Sequence, residues 1–386
     1  MRNCFFLLLL GAVTCSAQSV SSVNYSYLYN VQTEVNLQIN PVMGKDSITV
    51  YYKLVSKNPA GGSYSLQWEK KDSYAQRQGA IISPLDSIHL VKGVAEGKFI
   101  FPKPDKPWVL VGEVVNRKTS KGWFFFRQIE AHYPVNGYLE KDGEKEFQPY
   151  KIASNTYTVR GSGSGKPIHF SFYKDNFPSP TPPFAEKEFK MDRFLFPDST
   201  FTLTPGSQIG PFKDEGLYLA QEDTTSSEGF SFLVKREPYP RYNTIAALKG
   251  PLLFVTTREE NDKIGAAGED KTKFDKVILD ITADKDRAKK FMRNYFKRVE
   301  IANQLFTSYK EGWKTDRGMI YIVFGLPDEV ATNGQQEVWA YKYPRQSFKF
   351  TKSGSVYNPD HFVLVRDSQY TEDWYSTIDL WRKSQF

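Results

Sequence analysis

Three carboxylates in one short stretch are the residues of this sequence best suited to chemistry. Asp316, Asp328 and Glu329 lie close together between residues 316 and 329. Carboxylates grouped in this way act as general acids and bases or bind a divalent metal. None of the four histidines of the chain lies near them in the sequence. The stretch is therefore a candidate site for acid–base chemistry or for a metal, and no particular metal is assigned to it.

The same stretch also has a structural interpretation, because glycines and turn-forming residues surround the first carboxylate. Gly312 and Gly318 permit backbone angles that a side chain opposes. Trp313 offers a large apolar surface to a core, and its indole N–H needs a partner. Thr315 and Asp316 are able to accept hydrogen bonds from nearby backbone N–H groups and so organise a tight turn.

A second turn is predicted at Gly325, Pro327 and Asp328, where the proline presets φ. Arg317 has two candidate partners for a bidentate ion pair, Asp316 and Asp328. We interpret the stretch as a corner between a helix and a strand at 319–324. Because turn-forming Asp and Gly are common, we favour this structural interpretation over the functional site.

This stretch resembles the signature of the GWxTD-domain proteins, a family of exported bacterial proteins known chiefly from Bacteroidota-like lineages. The elements that carry the resemblance are, in order, Gly312-Trp313, Thr315-Asp316-Arg317-Gly318 and Gly325-Leu326-Pro327-Asp328. Residues 298–303 and Phe306 upstream, and Trp339 and Trp381 downstream, also resemble the family, so the resemblance covers roughly 240–386. The family name describes a motif, and the resemblance implies no activity, cofactor or catalytic residue.

Hydrophobic periodicity predicts the elements around the corner. Between 285 and 309 apolar residues recur every three or four positions, which predicts a helix with one buried face. Strands are predicted at 337–343, 348–350 and 361–365, followed by a closing helix that begins near Thr371. These elements predict an α+β domain at 240–386.

The first part of the chain has an apolar pattern of period two, which indicates strands with one buried face. Val35, Leu37 and Ile39 alternate with polar residues, and aromatic residues make up 15% of the sequence. Further strands are predicted at 108–115, 123–129, 157–159, 168–173, 201–203, 217–220 and 230–234. The sequence therefore predicts a mainly β chain with two β-sandwich domains, 24–135 and 136–237, ahead of the α+β domain. One large β domain over 24–237 is the alternative.

The N-terminus has the pattern of a signal peptide. Arg2 precedes a short apolar run, and Cys15-Ser16-Ala17 supplies small residues at a cleavage site, so residues 1–17 are predicted to be removed. In the alternative, Cys15 is lipid-modified and anchors the chain. Both cysteines lie in this segment. Cleavage behind Ala17 leaves none, which excludes disulfides, Cys-ligated zinc and a Cys nucleophile from the remaining chain.

The net charge of +7 is consistent with an anionic partner. An exported protein rarely meets nucleic acid, so we expect a periplasmic or envelope-associated location and another envelope protein or an anionic envelope component as partner. Segment 285–298, with seven Lys and Arg residues, is a candidate contact, although we favour its interpretation as a solvated helix face. We expect no cofactor and at most a peripheral contact with a membrane, and the oligomeric state stays open.

Two functions follow from these observations. We favour a non-catalytic envelope protein whose β-sandwich and α+β domains bind or dock a protein or an envelope component. The alternative is a hydrolase or a metal-dependent enzyme with its carboxylate site around Asp316 and Asp328.

Overall fold

The computed structural model describes residues 18–58, 63–174, 177–186 and 195–385. The predicted signal peptide and the alternative lipid site at Cys15 lie outside the described residues. Strands hold 35% of the described residues and helices 24%, which confirms a mainly β chain with a C-terminal α+β region. Among the described helices, none combines the length and the apolar character that a membrane crossing requires.

The first β region consists of two antiparallel sheets that face each other. Its strands are β1 (Val35–Met43), β2 (Ser47–Ser56), β3 (Tyr64–Lys71), β4 (Ala80–Ile88), β5 (Val94–Pro102), β6 (Trp108–Asn116) and β7 (Lys121–Ile129). The sheets have the orders β1-β2-β5 and β4-β3-β6-β7. Val35, Leu37 and Ile39 all face the core between the sheets, so the period-two prediction is confirmed.

The second β region also encloses a core of its own. Its strands are β8 (Tyr138–Lys141), β9 (Glu144–Lys145), β10 (Tyr150–Ile152), β11 (Tyr157–Arg160), β12 (Ile168–Lys174), β13 (Ser199–Leu203), β14 (Gln208–Ile209), β15 (Gly216–Gln221) and β16 (Phe230–Lys235). They form sheets of order β10-β16-β15-β12-β13 and β14-β11-β8-β9, and β10 runs parallel to β16. The strands predicted here are confirmed. The division of the chain into domains stays a prediction.

The C-terminal region packs six helices around a four-stranded sheet. The helices are α1 (Ile245–Leu252), α2 (Arg258–Ala266), α3 (Lys271–Thr282), α4 (Lys285–Phe306), α5 (Asp316–Phe324) and α6 (Thr371–Arg382), and the strands are β17 (Glu329–Thr332), β18 (Gln336–Tyr341), β19 (Gln346–Lys352) and β20 (Phe362–Leu364). The sheet is antiparallel in chain order. The helix predicted at 285–309, the three later strands and the closing helix are confirmed as α4, β18 to β20 and α6.

The strand predicted at 319–324 is wrong, because these residues form α5. Thr315 caps this helix, since its side chain accepts a hydrogen bond from the Gly318 N–H at 3.0 Å. Residues 318–324 are all buried. A helix that is buried on every side has no polar face, so its sequence lacks the 3.6-residue period that distinguishes a helix from a strand.

An N-terminal segment, residues 18–30, lies on the C-terminal region and is called the strap here. Tyr25 and Tyr29 of the strap are buried in the same core as α4, α5 and β18. The backbone N–H of Tyr25 donates to the Val330 carbonyl at 2.9 Å, and Val330 N–H donates to the Asn24 side chain at 3.0 Å. These bonds cover the outer edge of β17, an exposed strand edge otherwise open to other chains.

Candidate functional site

The corner between α4 and α5 is built on two glycines in very close packing. A Cβ on Gly312 would lie 2.1 Å from the carbonyl oxygen of Ala302 in α4. A Cβ on Gly318 would lie 1.9 Å from the carbonyl oxygen of Gly312 itself. Both contacts are with backbone, which cannot move aside as a flexible side chain can. The corner therefore requires glycine at both positions, because a Cβ at either one would clash with a backbone carbonyl oxygen.

We expect the substitution Gly312→Ala to destabilise the protein by about 3 kcal/mol or more, because the methyl group forces α4 and the corner apart. The matched control is Gly265→Ala in α2, where nothing lies within 4 Å of the added Cβ. The control is expected to be neutral or to stabilise by up to about 1 kcal/mol, since alanine is the better helix former. Urea denaturation of both variants measures the difference, and equal stabilities would contradict it.

Trp313 fills the space between α1 and α4. Its side chain is buried, and its indole N–H donates to the Tyr242 hydroxyl at 3.0 Å. Tyr242 in turn donates to Glu311 at 2.6 Å. Burial raises the pKa of Glu311, but Lys235 and Lys314 outweigh burial and lower the pKa to about 2. The indole N–H thus has the partner that the sequence predicts it to need, a buried tyrosine that is itself bonded to an ionised carboxylate.

Asp316 is held by groups from β20 and from the segment that follows it. Its carboxylate accepts the backbone N–H of Leu364 at 2.9 Å and pairs with Arg366 at 2.7 Å. Both side chains of this ion pair are buried. The carboxylate therefore attaches the first turn of α5 to β20 and the segment after it.

The predicted pairing of Arg317 with Asp316 or Asp328 is wrong. The Arg317 guanidinium lies 4.7 Å above the ring of Phe362, and its nearest carboxylate partner is Glu337 at 3.8 Å. In a helix, consecutive residues point about 100° apart. Asp316 and Arg317 therefore contact different parts of the domain.

The second predicted turn is present, although it ends a helix and not a strand. Gly325 has φ +88° after the last residue of α5. Pro327 is buried. Asp328 is exposed, and its carboxylate accepts the backbone N–H of Lys342 at 2.8 Å. Glu329 is exposed at the start of β17. The three candidate carboxylates thus have different neighbours, and no group of three or more His, Cys, Asp or Glu able to hold a metal occurs among the residues described.

Asp316 does reach a cavity of about 330 Å³, which lies under the proline-rich loop of the second β region. Lys310, His361 and Arg366 line the same cavity, together with loop residues 178–181. His361 was missed from the sequence because it is far from the motif along the chain. Burial lowers its pKa, the cations Lys310 and Arg317 lower it further, and Asp316 partly opposes them, so that the pKa is about 4. The imidazole is therefore neutral at neutral pH.

The lowered pKa of His361 makes the stability of the fold depend on pH. The unfolded chain binds a proton at the usual pKa of 6.5, whereas the folded chain binds it only near pH 4. Stability is therefore lost as the pH falls through this window. Between neutral pH and about pH 4.5 we expect the wild type to lose about 2 kcal/mol more than the variant His361→Gln. Urea denaturation at the two pH values measures this, and equal losses would contradict it.

A second candidate site is the outer face of α4. Six cations of this helix are exposed, and they are Lys285, Arg287, Lys289, Lys290, Arg293 and Lys297. The exposed acidic residue in this stretch is Asp286, 3.9 Å from Lys289. None of the residues of α4, all of which are described, is a large exposed hydrophobic residue. We call this surface the basic face.

The fold and the corner define a β-rich protein whose C-terminal α+β region is organised around Gly312, Trp313, Thr315 and Asp316. A family model described as the GWxTD domain matches residues 216–383. Residues 216–383 therefore belong to the GWxTD domain family, as the resemblance in the sequence implied. The matched region begins earlier than residue 240 and includes β15 and β16.

No curated protein matches the chain. Solved structures that match the chain include two with weak similarity. One is a transglutaminase from red sea bream, with 10% identity and a TM-score of 0.20 over 53% of this chain and 32% of that chain. The other is Escherichia coli α2-macroglobulin activated by porcine elastase, with 9% identity and a TM-score of 0.20 over 54% of this chain and 22% of that chain. This chain thus spans about a third and about a fifth of their lengths.

Proposed function

We propose that this protein is exported to the cell envelope and acts there as a non-catalytic binding module. In this proposal its GWxTD domain docks, through the basic face, on the anionic lipid headgroups of a membrane. The signal-peptide pattern of residues 1–17 supports export. The engagement of Asp316 by Arg366 and Leu364 supports a role of the motif in holding the domain together.

The observation that carries the proposal is the excess of positive charge on the basic face, where six exposed cations accompany one exposed carboxylate, Asp286. Lys285, Lys289, Arg293 and Lys297 follow one another at intervals of four residues. They therefore form a nearly straight row about 18 Å long. Lys290 and Arg293 have no ion-pair partner among the described residues, so their charge is available to a partner.

The absence of large apolar side chains on α4's exposed surface favours a lipid headgroup layer over a protein partner. Protein interfaces have cores depleted in charge and rich in aromatic residues, and this face offers neither feature. Each Lys or Arg close to an anionic membrane surface contributes about 1 kcal/mol. Six such residues give reversible binding that is sensitive to salt.

Sedimentation with lipid vesicles tests the proposal. The chain from Gln18 onward is mixed with vesicles of phosphatidylcholine alone or with added phosphatidylglycerol. We expect binding to the anionic vesicles only, with release at high salt. The triple variant Lys285→Glu, Lys290→Glu and Arg293→Glu is expected to bind at least about tenfold more weakly, since three attractive charges become repulsive.

The matched control is the triple variant Lys342→Glu, Arg345→Glu and Lys349→Glu. These residues are exposed on β19 and the turn before it, and the variant changes the net charge by the same amount. It is expected to bind nearly as well as the wild type. Equal loss of binding in both triple variants, or no preference for anionic vesicles, would refute docking through the basic face.

A further inference from the structure

A second cavity, of about 320 Å³, lies where the two β regions meet the C-terminal domain. Its walls come from the segment that joins β9 to β10, from the end of β7, from the end of α4 and from residues 356–360. This cavity is separate from the basic face and from the cavity at Asp316. It plays no part in the proposed docking to lipid.

Two lysines line this cavity without an ion-pair partner among the residues described. Lys151 is 4% exposed, and its ammonium group donates to the carbonyl oxygen of Gln148. Lys145 lies 5.2 Å from the ring centres of Tyr138 and of Phe147. A carbonyl and aromatic rings compensate a desolvated cation less well than a carboxylate does.

The other charged groups of the cavity do not supply the missing negative charge. Arg127 and Arg317 also line it, and each already has a carboxylate nearby, Asp360 and Glu337 respectively. Glu146 is the acidic group between the two lysines, and its carboxylate accepts the backbone N–H of Gln148 at 2.8 Å. Positive charge therefore exceeds negative charge in a partly enclosed space, which attracts an anion.

Two further observations agree with this imbalance. Burial lowers the pKa of Lys145 to about 8 and that of Lys151 to about 7, although Glu146 raises both. The hydroxyl of Ser308, which also lines the cavity, is buried without a hydrogen-bond partner in the described part of the chain. A negatively charged hydrogen-bond acceptor in the cavity would stabilise both ammonium groups and would accept the hydrogen bond of the Ser308 hydroxyl.

We propose that this cavity is an oxyanion-binding site, in which Lys145 and Lys151 together bind a carboxylate or phosphate group of a small ligand. Each ammonium group has donors left for such a group, because a lysine carries three. The aromatic side chains of Tyr138 and Phe147 form the wall beside Lys145. The volume suits a small molecule and not a folded partner.

Calorimetric titration with inorganic phosphate and, separately, with acetate tests the proposal, with sodium chloride at matched ionic strength as the reference. We expect saturable binding of at least one oxyanion to the chain from Gln18 onward. The variant Lys145→Met is expected to bind about tenfold more weakly or worse, because it loses one charge-assisted contact. Lys349→Met, which changes an exposed lysine of β19, is expected to bind as the wild type does. Binding of phosphate but not acetate, or the reverse, supports the proposal and identifies the group.

Lysine side-chain NMR gives a second readout that does not depend on a variant. The bound oxyanion is expected to raise the pKa of Lys145 and Lys151 by about one unit and to leave that of Lys349 unchanged. The absence of saturable binding to both oxyanions would overturn the proposal. So would binding that Lys145→Met retains in full, or equal pKa changes at all three lysines. Failure here leaves the lipid-docking proposal unaffected, because that test uses a different surface.

Discussion

Removal of the Asp316 carboxylate is expected to destabilise the protein by about 3–5 kcal/mol. The substitution Asp316→Ala leaves Arg366 buried without its carboxylate, and an uncompensated buried charge is costly. It also leaves the Leu364 N–H without an acceptor. Urea denaturation of the chain from Gln18 onward, followed by far-UV circular dichroism, measures the loss.

Three further variants define the cause. Asp316→Asn keeps one acceptor oxygen and is expected to lose less than alanine. Asp328→Ala removes an exposed carboxylate of the same motif and is expected to cost about 1 kcal/mol or less. The double variant Asp316→Leu with Arg366→Met is expected to be more stable than Asp316→Ala, because apolar groups replace both charges. If Asp316→Ala is as stable as the wild type, the structural role of Asp316 is contradicted and a functional role is indicated.

Removal of the Glu337 carboxylate is expected to release the strap from the C-terminal domain. Glu337 is buried in β18, and its carboxylate accepts hydrogen bonds from the Tyr29 hydroxyl and from the Trp339 indole. It also lies 3.8 Å from Arg317. The substitution Glu337→Ala leaves these donors unsatisfied and is expected to cost about 3–5 kcal/mol.

The substitution Tyr29→Phe is the graded control for this prediction. It removes the hydrogen bond that the Tyr29 hydroxyl donates to Glu337 and the longer one, 3.4 Å, that it accepts from Arg317. It keeps the aromatic packing on Phe306 and Trp339, so it is expected to cost about 1–2 kcal/mol. Limited proteolysis measures the release, since a detached strap becomes a substrate. Equal protection of the strap in the wild type and in Glu337→Ala would show that Glu337 does not hold it.

The sequence predicts those elements that have one buried and one exposed face. Val35, Leu37 and Ile39 show the alternation of a half-buried strand, and α4 shows a helical stripe. Helix α5 has no exposed face, so periodicity could not identify it, and the cap at Thr315 was interpreted as a turn. Helix α2 was missed although Thr257 and Glu260 form a capping box, a local signal that the sequence does contain.

The candidate sites were harder to predict from the sequence, because the residues that form them are far apart along the chain. His361 and Arg366 reach Asp316 only through the fold of β20. Lys145 and Lys151 are ordinary surface residues by sequence, and only the meeting of three parts of the chain buries them. Sequence spacing carries no information about such contacts. The basic face was predictable, since its residues follow one another in a single helix.

The strap has a consequence for the order in which the protein acquires its structure. Its hydrogen bonds with Asp328, Val330 and Glu337 join residues 304 to 308 positions apart. Synthesis runs from the N-terminus, so the strap is made long before its binding surface exists. The strap therefore binds in the last step of folding, after β17 and β18 have formed. Until that step the edge of β17 is open to neighbouring chains, which makes rapid synthesis at high local concentration the condition most prone to misassembly.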